Sequence, residues 1–140
     1  MRRRILVFSF LIFILLSDGL PYAVKAGPPS MPSSFYGLAG ENGANVPIGT
    51  VISAWINGVQ YAETLSLSYN GNSVYTMDVP ADDPGTPGTT EGGLEGDLVL
   101  FKIGGIEANQ TGIWHGGTNQ ELDLSIIITL ERIYLPLIIN

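Results

Sequence analysis

Five carboxylates crowd one stretch of the chain: Asp82, Asp83, Glu91, Glu95 and Asp97. Hard oxygen donors of this kind are what Ca²⁺ takes, and the glycines between them leave backbone carbonyls free to join. The Asp-x-Asp-x-Asp-Gly spacing of a dedicated calcium loop is missing. The rival reading is a solvated acidic loop in which Asp82 or Asp83 bonds its own turn backbone. Two of these acids could also serve as a glycosidase pair. Any acidic chain offers such pairs, and a small sandwich implies no groove to hold a sugar between them. His115 is the single histidine, at the end of a strand and before Gly116-Gly117. With no serine in a Gly-x-Ser-x-Gly elbow, it reads as a turn-flanking or packed residue. Phosphate loops and dinucleotide fingerprints are absent as well. Zero cysteine removes disulfides, thiolate metal sites and a cysteine nucleophile together. A non-enzyme is expected, with Ca²⁺ the one candidate cofactor.

A second set of residues suits recognition. Trp55, Tyr61 and Trp114 could form an aromatic platform for sugar stacking. In the segment from Thr50, Ile52, Ala54 and Ile56 share one face and Val51, Ser53 and Trp55 the other. If the first face is core, Trp55 points outward. The alternative is that these tryptophans belong to the core. Asn109-Gln110-Thr111 matches a glycosylation sequon but falls inside an expected strand.

The elements that must position these residues are strands. The chain has 140 residues, a prior for one domain, with 45% hydrophobic and 14% charged residues, a globular and not a disordered composition. Met1 to Ala26 reads as a signal peptide. Arg2, Arg3 and Arg4 precede the apolar run Ile5–Leu16, Pro21 breaks it, and Val24-Lys25-Ala26 places small residues at the cleavage site. The run is short of the roughly 18–20 residues that span a bilayer. An uncleaved anchor is the rival. Beyond Ala26 only Lys102 and Arg132 oppose the 12 carboxylates left when Asp18 is set aside, a formal charge of −10 against −7 for the whole chain. So acidic a surface argues against nucleic acid, which needs clustered cations. The positive mean hydropathy of +0.27 owes much to the leader.

After a stiff lead-in at 27–33, glycine, asparagine and proline recur at the spacing of a sandwich or barrel. Strands are expected at 34–39, 50–56, 59–67, 74–79, 97–103, 106–115 and 121–130. Asn57-Gly58 marks a hairpin, since a type I′ turn needs positive φ at both central positions. Pro80–Gly96 is the one long irregular segment, and long loops in compact domains are usually functional or mobile. The expectation is an all-β, seven-stranded antiparallel β-sandwich over 34–130, immunoglobulin-like or transthyretin-like, with no Cys–Trp–Cys signature of an antibody domain. The apolar tail at 131–140 is too short to span a membrane and could complete the sandwich edge, act as a sorting signal or be donated to a neighbour.

One pattern runs from Phe35 to Val79: Phe35-Tyr36-Gly37, then Asn42-Gly43-Ala44-Asn45-Val46-Pro47-Ile48-Gly49-Thr50-Val51-Ile52-Ser53-Ala54, Asn57-Gly58, and Tyr75-Thr76-Met77-Asp78-Val79-Pro80. It resembles the carboxypeptidase regulatory-like and related transthyretin-like modules, which carry a "G-x-x-V-P-x-G-T-x-V-x-A" segment and a later "Y-x-L-x-V-P" strand. The second half, with Asp82-Asp83-Pro84, Glu91-Gly92-Gly93, Gly96-Asp97 and Trp114-His115, looks like a variant found in secreted and surface proteins of bacteria and archaea. The closing Tyr134-Leu135-Pro136-Leu137 is similar to an ending seen on some bacterial secreted proteins. The resemblance implies a secreted or cell-surface, non-catalytic module with a structural or adhesive role. Its partners would be other surface proteins or polysaccharide, with no nucleic acid and no stable membrane span in the mature chain. The alternative is a carbohydrate-binding module using exposed tryptophans, with a structural Ca²⁺.

Overall fold

A computed structural model describes residues 30–129. The signal peptide, the lead-in as far as Pro29, and Leu130 with the tail at 131–140 lie outside the described residues. Within them the chain is all-β, and no helix is long and apolar enough to cross a membrane. The strands are β1 (Ser33–Glu41), β2 (Ala44–Asn45), β3 (Val51–Ile56), β4 (Val59–Leu65), β5 (Leu67–Tyr69), β6 (Asn72–Val79), β7 (Leu98–Ile103), β8 (Ile106–Ile113), β9 (Asn119–Glu121) and β10 (Leu124–Ile126).

They form two sheets. The first runs β10-β1-β6-β5, with β2 and β9 also paired to β1. The second runs β4-β3-β7-β8 and is antiparallel throughout. Three Asn-Gly pairs make tight turns, each with positive φ at both residues: Asn42-Gly43, Asn57-Gly58 and Asn70-Gly71. The inner faces alternate as a half-buried sheet must. Phe35, Ile52, Ala54, Val79, Val99, Phe101 and Ile103 are fully or almost fully buried. Each large side chain among them contributes roughly 1.5–3 kcal/mol. Phe35 and Phe101 meet edge to face, with ring centroids 5.1 Å apart. Gly112 makes room for that contact, because a Cβ there would come within 2.5 Å of Phe35.

Among the described residues ten strands replace the expected seven: the two-residue β2 is added beside β1, and two expected strands each divide for local reasons. The segment expected as one strand from Val59 to Leu67 divides at Ser66, where the chain passes from the second sheet to the first. Ser66 is buried; its N–H donates to Thr50 O (2.9 Å) and its Oγ to Pro47 O (2.9 Å), while accepting from Thr50 N (3.0 Å). These bonds hold the crossing without a ladder. The segment expected from Glu121 to Leu130 divides at Leu122–Asp123. There Leu122 N donates to Tyr36 O, and Leu38 N turns to the Asp123 carboxylate (2.8 Å) in place of a backbone rung. Gly37 is required at this step, since a Cβ would lie 2.5 Å from Leu122 O. The sandwich is also not purely antiparallel: β9 and β10 run parallel to β1. At the seam between sheets, Gln110 of β8 accepts from Ser125 N of β10 (2.8 Å), a side chain doing the work of a ladder bond.

Candidate functional site

The acidic segment leaves β6 at Pro80 and returns to β7 at Leu98. It is pinched shut by one bridge between Ala81 and Gly93. Asp82 N donates to Gly93 O (3.0 Å) and Gly93 N to Pro80 O (2.8 Å). Only glycines fit this closure. A Cβ on Gly92 would sit 2.3 Å from Pro80 O, and one on Gly93 would sit 2.4 Å from the Trp114 ring. Trp114 is 5% exposed, and its indole N–H donates to Val79 O (3.1 Å). The loop is thus clamped over a buried indole.

Four of the five sequence-predicted acids have a bonding role inside this loop, and Glu95 bonds beyond it. Asp82 Oδ1 accepts from Glu91 N (2.9 Å), tying the two limbs together. Asp83 Oδ1 accepts from Gly85 N (2.8 Å), closing its own turn. Thr86 Oγ1 lies 2.6 Å from Glu91 Oε2 and 3.0 Å from Asp83 O. Asp97 Oδ2 accepts from Leu94 N (2.9 Å), while its carbonyl accepts from Trp114 N (2.8 Å). Glu95 reaches across to the turn after β8, pairing with His115 Nδ1 at 2.5 Å and accepting from Gly116 N at 3.3 Å. His115 first, and then the Gly116 N–H, hold the Glu95 carboxyl below its ordinary value.

These acids therefore do not form one cluster. No three Asp, Glu or His side chains come together as a metal-holding group among the described residues. Asp82 and Glu95 line the same shallow surface hollow, with Met31, Leu94 and Trp114, but Asp82 is already engaged with its own loop and Glu95 with the turn after β8.

The aromatic trio is also dispersed. Trp55 points away from the core, on the outer face of the second sheet, as the alternation from Thr50 predicts. Its Nε1 donates to Ser53 Oγ (2.8 Å), and Lys102 Nζ stands 3.8 Å above its ring centre. Glu63 and Glu107, at register positions on either side, flank that pair. Tyr61 occupies the β3–β4 irregularity between the Ala54–Ala62 and Trp55–Gln60 pairs, and packs against the core. Its hydroxyl donates to Thr90 O (3.4 Å), so it braces the acidic loop. Trp114 belongs to the core. A shared stacking surface of Trp55, Tyr61 and Trp114 is thereby corrected: Trp55 alone stands on an outer face.

Sequence reasoning passed over the outer face of the first sheet. Tyr36, Leu38, Leu67 and Tyr69 are all exposed there. The signal was present, since the strand alternation that buries Phe35 and Ala39 sends Tyr36 and Leu38 outward. Beneath it, Tyr75 donates its hydroxyl to Leu122 O (2.7 Å), and burial and then the Asp123 charge push its ionisation upward. No protein-family model, curated protein or solved structure matches the chain.

Proposed function

We propose that the chain is a secreted, non-catalytic β-sandwich module with a structural or adhesive role at the cell surface, of the carboxypeptidase regulatory-like or transthyretin-like kind. The observation that carries this reading is the use made of the loop carboxylates: they close turns and brace the loop against the sandwich. A loop built this way presents a fixed surface. Strand order supports the transthyretin-like side of the resemblance. In the constant-type immunoglobulin order the first two long strands share a sheet. Here β1 and β3 lie in different sheets.

The test is to express the full chain in a secreting bacterial host and follow its N-terminus and its cells. The reading expects a chain beginning near Gly27 outside the cytoplasm, and cells that attach to a surface or to one another more than the parent strain. Retention in the cytoplasm would contradict it. So would a turnover activity abolished by Asp82→Asn or Glu95→Gln.

A carbohydrate-binding reading keeps one specific support, the outward Trp55. Its ring face already carries Lys102, so a sugar must displace the ammonium or use the ring edge. Polysaccharide binding lost in Trp55→Ala and retained in Tyr61→Phe would favour it.

A further inference from the structure

Strand register fixes which side chains share a face. On the outer face of the first sheet, Leu38 of β1 lies directly opposite Val74 of β6, and Val74 directly opposite Leu67 of β5. These three side chains form one row across three strands, at steps of about 4.8 Å. Leu38 is 42% and Leu67 57% exposed. Tyr36 extends the apolar surface on one side of the row and Tyr69, 66% exposed, on the other. Contiguous exposed apolar surface of this kind marks an interaction site.

The charges around the row decide what fits it. Asp78 lies opposite Ser34, Glu121 opposite Tyr36, and the Asp123 carboxylate sits at Leu38 N. Among the described residues the one Lys or Arg is Lys102, which is on the other sheet above Trp55. A second copy docking through the same face would set these carboxylates against their own kind. A second copy offering its other sheet would bring Lys102 together with Glu63 and Glu107. Both arrangements are repulsive on balance. A partner that supplies cations next to aliphatic side chains satisfies the row and its rim together.

We propose that this face docks a basic protein segment in which aliphatic side chains alternate with Lys or Arg. The proposal gives the structural or adhesive role a partner class and rests on that reading.

The experiment measures binding of a synthetic peptide of alternating Leu and Lys to the full chain, with a Leu–Glu peptide as control. The first peptide is expected to bind and the control not. Leu38→Thr with Val74→Thr should weaken binding about tenfold or more, equivalent to about 1.4 kcal/mol. Asp78→Asn with Glu121→Gln should weaken it about fivefold, whereas Glu63→Gln with Glu107→Gln, the same change in net charge, should leave it within about twofold. Melting curves confirm that each variant is folded, and the near-isosteric Asn and Gln variants keep the test decisive if the threonine pair unfolds. Equal weakening by the two charge pairs would overturn the proposal, because net charge alone would explain binding. Sedimentation showing a dimer lost in Leu38→Thr with Val74→Thr would also overturn it, in favour of a second copy. Either result leaves the structural or adhesive role standing, whereas a turnover activity would remove that role without touching the peptide result.

Discussion

The acidic loop and the outer face of the first sheet carry the same charge and put it to different uses. In the loop, Asp82, Asp83 and Asp97 each accept a backbone N–H from the loop itself, and Glu95 spans to His115 and Gly116. On the sheet, Asp78, Glu121 and Asp123 border a row of exposed aliphatic side chains with no Lys or Arg beside them among the described residues. Carboxylate density alone therefore does not mark a site. What separates a strut from a group left for a partner is whether backbone N–H groups already hold it: Asp123, taken by Leu38 N, belongs with the loop struts, whereas Asp78 takes the Ser34 hydroxyl.

The largest expected effect breaks the loop side of this contrast. Gly93→Ala drives a Cβ into the Trp114 ring and the clamp must open. Overpacking of this kind costs about 2 kcal/mol. In a domain this size that lowers Tm by about 10 °C in a thermal melt. Asp82→Ala should come next. It removes the acceptor for Glu91 N and costs about 1 kcal/mol, or about 5 °C in Tm. The contrast sharpens if Glu121→Gln, on the sheet face, changes Tm by less than about 2 °C.

A smaller effect is electrostatic. Glu95 has a lowered folded-state value, so the stability it contributes is present above its unfolded-state value and is lost as pH falls through the folded one. Between about pH 5 and about pH 3 the wild-type Tm should fall further than that of Glu95→Gln, and the excess should vanish in His115→Phe with Gly116→Pro. The smallest effect concerns Ca²⁺. Because the loop carboxylates already hold donors, a chelator should shift Tm by less than about 1 °C; a filled structural site would add about 2.7 kcal/mol at a hundredfold excess over Kd. A larger shift would make the loop a metal site.

The sequence carried the architecture well where a local rule determined it. Asn57-Gly58 specified its turn through backbone conformation, and the alternation from Thr50 set Ile52, Ala54 and Ile56 inward and Trp55 outward. It was less legible where one side chain replaces a backbone rung. Neither the Asp123 carboxylate at Leu38 N nor the buried Ser66 leaves any mark on hydrophobic periodicity. The parallel pairing of β9 and β10 with β1 was invisible for a related reason: alternation reports faces, not partners. In the site, composition located the acidic loop but not its bonding. Trp114 was ambiguous because its burial depends on Gly93, 21 residues earlier in the chain. The outer row needs register to be seen at all, since Leu38, Val74 and Leu67 meet only across three strands.

The contrast between the two acidic regions is tested most directly by an amide-resolved NMR titration of the full chain with the Leu–Lys peptide. The account predicts shift changes at Tyr36, Leu38, Leu67 and Val74 and at their strand neighbours. The amides of Gly85, Glu91 and Leu94, held by Asp83, Asp82 and Asp97, should stay in place. Shifts centred on those loop amides, with the sheet face silent, would contradict it.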